Sequence, residues 1–339
     1  MAPSPEARTR VVDVIRWGIL GAGGIAATVG EDIQASPGSE IVAVAARDAG
    51  RASAFATKFG VPRSYGSYAE LVEDSGVDIV YIATTHAQHH EQALLALRAG
   101  KPVLIEKAFA LNARQAREIV AEARERQLFC MEGMWMRLHP LIRQVPRLIA
   151  DGRIGDVVGV RADLSRRFEF APDHRLYDLS AGGGALLDLG VYPTTFAYLV
   201  LGRPEVVQAV GSISPTGTDV TAAMQWKFAD GRIAQIYASA AGPSPLAALV
   251  TGTNGTISVE PRIQRARRLV VTSEAGTELI ECDAPPGNGF DLEIAEVERC
   301  LRAGLLESEL VPLDDSVAIL EVLDEARRQL GVRYPADED

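Results

Sequence analysis

Cysteine is scarce in this chain. Cys130, Cys282 and Cys300 are the only three in 339 residues, and no two are spaced as a metal-binding pair or as part of a disulfide framework, which points to a reducing compartment. Positive charge is also short: 34 Lys and Arg stand against 45 Asp and Glu, a formal net charge of −11. Nucleic-acid affinity rests on clustered cations, so a nucleic-acid partner is not expected. No apolar run approaches the roughly 20 residues that span a bilayer, and the first ten residues carry Pro, Glu and Arg in place of a secretory leader's apolar segment. The expectation is a soluble, cytoplasmic protein with no membrane partner and a disordered tail over residues 1–11.

Apolar residues are plentiful, at 47%, and the length suggests two domains at about 150 residues each. Over 12–134, buried-strand patterns at 17–20, 41–46, 79–83, 103–105 and 128–131 alternate with helical patterns at 51–59, 69–73, 88–99 and 113–126. Such alternation predicts a doubly wound α/β domain with a parallel sheet covered on both faces. Asn112 with Gln115 has the form of a helix N-cap and its partner, and Gly100 stands where a helix wants a left-handed terminator. From 135 to 339 the pattern changes. After a helix at 141–150 come β-like runs at 157–170, 205–214, 221–228, 233–239, 246–251, 255–260 and 269–272, with hairpin signals at Asp230-Gly231 and Asn254-Gly255. Helical patterns at 292–302 and 315–330 close the chain. This is an α+β domain with a large, mainly antiparallel open sheet, whose last helix is expected to pack back on the first domain.

Chemistry concentrates in a few places. Gly21-x-Gly23-x-x-Ala26 follows a strand and opens a helix, the context that a dinucleotide fingerprint requires. The first glycine makes the turn, the second lets the backbone approach a pyrophosphate, and Ala26 is small enough for helix–strand packing. The second strand ends Ala45-Ala46-Arg47-Asp48. Where an NAD site usually places an acid, this chain has alanine followed by arginine, which suits the 2′-phosphate of NADP; Asp48 as a ribose ligand is the other reading. Thr84 and Thr85 precede His86, His89 and His90 at a helix start. Their spacing suits a metal, but no acidic or cysteine partner completes a set, so contact with cofactor or substrate is expected and metal is not.

Lys107 follows a buried strand at the carboxyl edge of the sheet, where α/β folds bind ligands. An ammonium there polarises a substrate oxygen and lowers the pKa of a neighbouring acid; the plainer reading is a solvated lysine opening a loop. Asp188 and Tyr192, four residues apart after the Gly182-Gly183-Gly184 bend, share a face if the segment is helical. A phenol near an ammonium is expected to titrate low enough for general acid/base work. Pro193 leaves open whether this segment is helix or turn.

Together, Val44–Asp48, Ile105-Glu106-Lys107, the 131–137 stretch and Gly182–Tyr192 resemble the glucose–fructose oxidoreductase/inositol dehydrogenase (Gfo/Idh/MocA) family over nearly the whole chain, particularly its dihydrodiol- and xylose-dehydrogenating branch. The resemblance implies an N-terminal Rossmann domain and NADP, less readily NAD, as cofactor. It implies a sugar, polyol or cyclic diol substrate, and a homodimer or homotetramer formed through the C-terminal sheet. By position it makes Lys107 the catalytic lysine, Tyr192 the acid/base and Asp188 the orienting acid. The cofactor set becomes Gly21, Gly23, Gly24, Ile25, Ala26, Arg47, Thr84, Thr85, His86, His89, Glu106, Lys107 and Arg175. The substrate set becomes Trp135, Arg137, Phe168, His174, Asp188 and Tyr192. Ala108 stands where the family has proline after the lysine, and it is expected to relax the placement of Lys107. The alternative to an oxidoreductase is a non-catalytic dinucleotide-sensing regulator on the same fold.

Overall fold

In the computed structural model, which describes residues 14–283 and 287–337, the first described elements build a parallel sheet; the tail expected over 1–11 lies outside these residues. The sheet is formed by β1 (Ile15–Leu20), β2 (Ser39–Ala45), β3 (Arg63–Tyr65), β4 (Ile79–Ile82), β5 (Val103–Glu106) and β6 (Cys130–Gly133), in the order β3-β2-β1-β4-β5-β6. Its central strands are buried along their whole length, as Ile79–Ile82 shows, because helices cover both faces. These are α1 (Gly24–Ala35), α2 (Ala49–Phe59), α3 (Tyr68–Val72), α4 (His86–Arg98) and α5 (Ala113–Arg126). The boundary signals operate as chemistry requires. Asn112 Oδ1 accepts from the Gln115 amide at 2.9 Å, and Gly100 has φ +80° after α4. The edge strand β3 is absent from the sequence-based expectations, because three residues are too few to show a period.

After α6 (Pro140–Ala150), the second domain is an eight-stranded sheet of β7 (Val157–Ser165), β8 (Val206–Ile213), β9 (Asp219–Lys227), β10 (Ile233–Ser239), β11 (Ala248–Gly252), β12 (Gly255–Glu260), β13 (Arg268–Ser273) and β14 (Gly276–Glu281). The order is β14-β13-β12-β11-β7-β10-β9-β8, antiparallel throughout except for the β7–β10 pair. Both hairpin signals lie where expected, between β9 and β10 and between β11 and β12. The β character expected over 157–170 stops at Ser165. The exposed strand β14, with one partner and a mostly polar sequence, was not anticipated.

One face of this sheet buries Met224, Trp226, Ile236 and Val250 and carries α7 (Val191–Leu201). Among the described residues, Leu179–Leu201 is the one helical stretch long and apolar enough to cross a membrane, which corrects the expectation that no such run exists. It is 83% buried inside the protein, so its apolarity serves the core. The last two helices tie the domains together. Glu298 of α8 (Asp291–Arg302) accepts from Ser36 and Ser39 beside β2. Asp324 of α9 (Leu313–Leu330) caps the first amide of α5, Ala113. Both contacts fasten the closing helices to the first domain.

Candidate active site

The carboxyl edge of the parallel sheet faces a cleft of about 740 Å³ between the domains. Gly21 ends β1 with φ +101°, and a Cβ there would stand 2.7 Å from the Ala83 carbonyl oxygen; only glycine permits that approach. Gly23 then caps α1 without a side-chain hydrogen bond, and no acid stands in the first turn. The helix therefore presents free amides and partial positive charge to the cleft, an anion site. Gly24 and Ile25 line it. Ala26 is fully buried and packs the helix on the sheet instead.

At the end of β2, Arg47 lines the cleft. Asp48 lines it too, with its Oδ1 accepting from the Arg51 amide at 2.8 Å to cap α2. That helix start turns Arg51 back over the glycine loop, with Nη2 3.3 Å from the Ala22 carbonyl. Tyr68 completes this end. Burial raises its hydroxyl pKa despite the opposing pull of Arg47 and Arg51. Arg51 and Tyr68 were not foreseen. The signal for Arg51 was present in the Asp48 cap, which places its third following residue beside the cleft.

Thr84, Thr85 and His86 line the next stretch. The side chain of Thr84 bonds Gln92 at 2.9 Å, while the Thr85 hydroxyl, at the start of α4, donates to Gln88 Oε1 at 3.4 Å and caps no helix amide. His86 Nδ1 meets the Gly182 carbonyl at 2.9 Å. A carbonyl only accepts, so Nδ1 carries the proton, and burial with the nearby Lys107 charge pushes the imidazole down to about 4. His89 does not reach the cleft. It is wholly buried against the Ala108 carbonyl, 2.9 Å away, and its placement corrects its assignment to the cofactor set: three residues along a helix turn it inward. His90 pairs with Glu118 at the surface. Among the described residues no group of three His, Cys, Asp or Glu is placed to hold a metal.

The centre of the site is a buried charge cluster. Lys107 Nζ donates to Asp188 Oδ1 at 3.0 Å and to the Asp188 carbonyl at 2.9 Å. Arg175 grips the same carboxylate with two bonds of 3.1 Å. Burial alone would raise the Asp188 pKa, but Lys107 and Arg175 hold it far below the usual carboxylate range. Burial would likewise lower Lys107, and the negative charge of Asp188 keeps it raised. The peptide bond after Lys107 is cis, and the two bonds to Asp188 fix its head, contrary to the expectation that Ala108 would relax it.

The helix-or-turn question at Pro193 has a specific answer. Leu186–Gly190 form one π-helical turn that runs into α7. In that register the Asp188 carbonyl would accept from residue 193, but proline has no N–H. The carbonyl so freed is the one that holds Lys107. Tyr192 then lies with its ring centre 5.2 Å from Lys107 Nζ, and its hydroxyl accepts from Trp135 Nε1 at 2.9 Å. Its pKa is not lowered as expected. Burial pushes it up to about 12, because the ammonium sits over the ring and spends its hydrogen bonds on Asp188. Glu106 also lines the cleft, accepting from the Tyr81 hydroxyl at 2.5 Å.

Of the expected substrate residues, Asp188 lines the cleft, while Tyr192 and Trp135 are outside its wall, Tyr192 close to Lys107 and Trp135 bonded to Tyr192. Trp135 is wedged against Phe290, with ring centres 5.1 Å apart. Arg137 is a correction: it is 8% exposed, outside the cleft wall, and its Nη1 stands 2.7 Å from Asp315 of α9, so it fastens the last helix. His174 and Phe168 are likewise outside the cleft wall. His174 caps the turn carrying Arg175 through the Leu176 amide, and Phe168 packs beside it, 5.8 Å between ring centres.

Comparison with known proteins identifies the family. Residues 15–134 match the GFO/IDH/MocA model described as an oxidoreductase family with an NAD-binding Rossmann fold, and residues 142–258 match the GFO/IDH/MocA C-terminal domain. The mouse trans-1,2-dihydrobenzene-1,2-diol dehydrogenase is 39% identical over 337 residues, covering 95% of this chain and 99% of that protein. Among solved structures, KijD10, a 3-ketoreductase from Actinomadura kijaniata in complex with NADP and TDP-benzene, superposes with a TM-score of 0.83 at 27% identity, covering 94% of this chain and 98% of that one.

Proposed function

Because the chain belongs to the GFO/IDH/MocA family of oxidoreductases, we propose that it is an NADP-dependent dehydrogenase or reductase acting on a carbinol or carbonyl carbon of a cyclic diol, sugar or polyol. The cleft suits a dinucleotide: it joins a glycine turn, bare helix amides and, at the far end, two guanidiniums, beside the helix-capping Asp48. Arg47 and Arg51 match a 2′-phosphate by charge and fork geometry, and Asp48 is committed to its helix. When bound, the nicotinamide supplies or accepts the hydride.

The observation that carries the reading is Lys107, pinned between carboxylate and carbonyl of Asp188 and set over Tyr192. Tyr192 is protonated at neutral pH, which suits it to give its proton to the oxygen of a carbonyl being reduced; in oxidation it takes that proton back. Lys107 stabilises negative charge on the same oxygen, and the surrounding low-dielectric walls strengthen its field. Asp188, held ionised, fixes Lys107 and Arg175 before substrate arrives. A non-catalytic sensor would need the cleft, but not this buried cluster.

A second copy of the chain is the partner we propose for the open face of the large sheet. Ladder register places Val206, Val210, Ile233, Tyr237 and Leu279 on one face, and all five are exposed, Val210 by 71%. Exposed apolar surface on a single face marks an association site; sedimentation reads the oligomer. The site itself is tested by NADPH and NADH fluorescence titration, then by turnover with trans-1,2-dihydrobenzene-1,2-diol, aldoses and polyols. Tyr192→Phe is expected to bind NADPH normally, and both Tyr192→Phe and Lys107→Met are expected to lose turnover by about 100-fold or more. Turnover in both variants close to that of the unmodified protein overturns the reading.

A further inference from the structure

Asp219 opens β9, 33 residues beyond the turn that it touches, and is 1% exposed. Its Oδ2 accepts from the Leu186 amide at 2.6 Å, at the first residue of the π-turn that carries Asp188. The residue at the local capping position, Ala185, has no side-chain bond to give. Gly184 explains the close approach: it has φ +129°, and a Cβ there would collide with Asp219 Oδ1. Tyr334 holds the same bend from the chain's end, its hydroxyl donating to the Gly183 carbonyl at 2.7 Å. The glycine bend is thus shaped from outside by two buried side chains of the second domain.

We infer that Asp219 is a positioning residue for the reaction, capping from β9 the helix start that sets Asp188, Lys107 and Tyr192 in place. The inference rests on the proposed roles of Lys107 and Tyr192. A carboxylate at a helix N-terminus satisfies free amides and opposes the helix dipole, and both effects weaken when it is protonated. Burial pushes Asp219 up to about 6, against the pull of the Leu186 and Ala185 amides and the Arg327 charge. The groups facing it are Tyr334, raised well above its usual value by burial and by Asp219 itself, and Arg327, whose charge lies over the Tyr334 ring and pairs with Asp324 and Asp337. Within the cleft, His86 at about 4 and Tyr192 at about 12 lie far from this range. The cap therefore weakens below a pH of about 6, and with it the alignment of the cluster.

The experiment compares unmodified protein, Asp219→Asn and Tyr334→Phe, with NADP+ and trans-1,2-dihydrobenzene-1,2-diol between mildly acid and mildly alkaline pH. In unmodified protein kcat falls below the Asp219 titration. In Asp219→Asn it is roughly tenfold lower and lacks the additional break at that titration, keeping only the smooth rise with pH that Tyr192 imposes on oxidation, with NADPH affinity within about twofold of normal since the glycine loop is untouched. Tyr334→Phe lowers kcat but keeps the acid limb, which separates a loosened bend from the titration. Thermal melting gives a reading without turnover. The folded value is raised above the ordinary 3.8, so the native state holds the extra proton, and unmodified protein loses stability relative to Asp219→Asn as pH rises from about 4 to about 6. An acid limb unchanged in Asp219→Asn, melting curves that stay parallel, or kcat and NADPH binding lost together each overturn the inference. Should Tyr192→Phe turn over normally, the proposed acid/base role falls, while the melting comparison still decides whether Asp219 is the cap.

Discussion

The indole N–H of Trp135 donates to the hydroxyl oxygen of Tyr192 at 2.9 Å, with the two rings edge to face. A donor aimed at a phenolic oxygen favours the ionised form, so this bond works against the burial that raises Tyr192. Trp135→Phe keeps a ring beside Tyr192 and Phe290 and removes only the N–H. The alkaline limb of kcat/KM for carbonyl reduction, the direction in which Tyr192 must carry its proton, is expected to move up by about one pH unit, the equivalent of a bond of ~1.5 kcal/mol to a charged group. A limb that stays in place would show that the bond does not act on the titrating group.

Cofactor choice is expected to reside in Arg47 and Arg51. Both line the end of the cleft beside Tyr68, and charge-assisted bonds to a phosphate contribute about 1.5–3 kcal/mol each. Replacing both by alanine should weaken NADPH at least tenfold, and NADH little, in fluorescence titration. Equal losses for both cofactors would place the 2′-phosphate elsewhere.

Arg137→Met separates fastening from binding. The Arg137–Asp315 pair joins the start of the second domain to α9, and Arg137 is nearly buried. Removing one partner of such a pair leaves the other without its counter-ion, which here costs about 2 kcal/mol because Asp315 keeps some solvent. The urea midpoint should fall while KM for the alcohol stays within about twofold. A large KM change at unaltered stability would return Arg137 to the substrate.

Asp188 sets an acid limit on stability. Its folded value lies below the ordinary 3.8, so its contribution is complete at neutral pH and is lost as pH falls through the range below about 4. Asp188→Asn has no such group. Acid unfolding followed by circular dichroism should show unmodified protein losing stability relative to Asp188→Asn in that range. Parallel acid curves would mean that Lys107 and Arg175 do not stabilise the carboxylate.

The two-sheet architecture and the glycine turn after the first strand could be read from the residues alone. Strand and helix periods are local, and a glycine forced by a neighbouring carbonyl, as at Gly21, leaves its mark at the position concerned. Lys107, Asp188 and Tyr192, which the fold brings together, stood out in the sequence because they carry chemistry that is conspicuous at a strand end and after a glycine bend. What each does there depends on the folded chain. His89 turns inward and Arg137 turns to α9, since direction from a helix or turn depends on what packs against it. Tyr192 rises where a nearby ammonium alone predicts a fall, because burial acts on it from all sides while Lys107 is held by Asp188. Asp219 reaches the helix start across 33 residues of chain, a contact made by the sheet's register and invisible to any local pattern. Composition and spacing report which groups a chain can bring to a site; desolvation and long-range contacts, which exist only in the folded molecule, set their direction and charge.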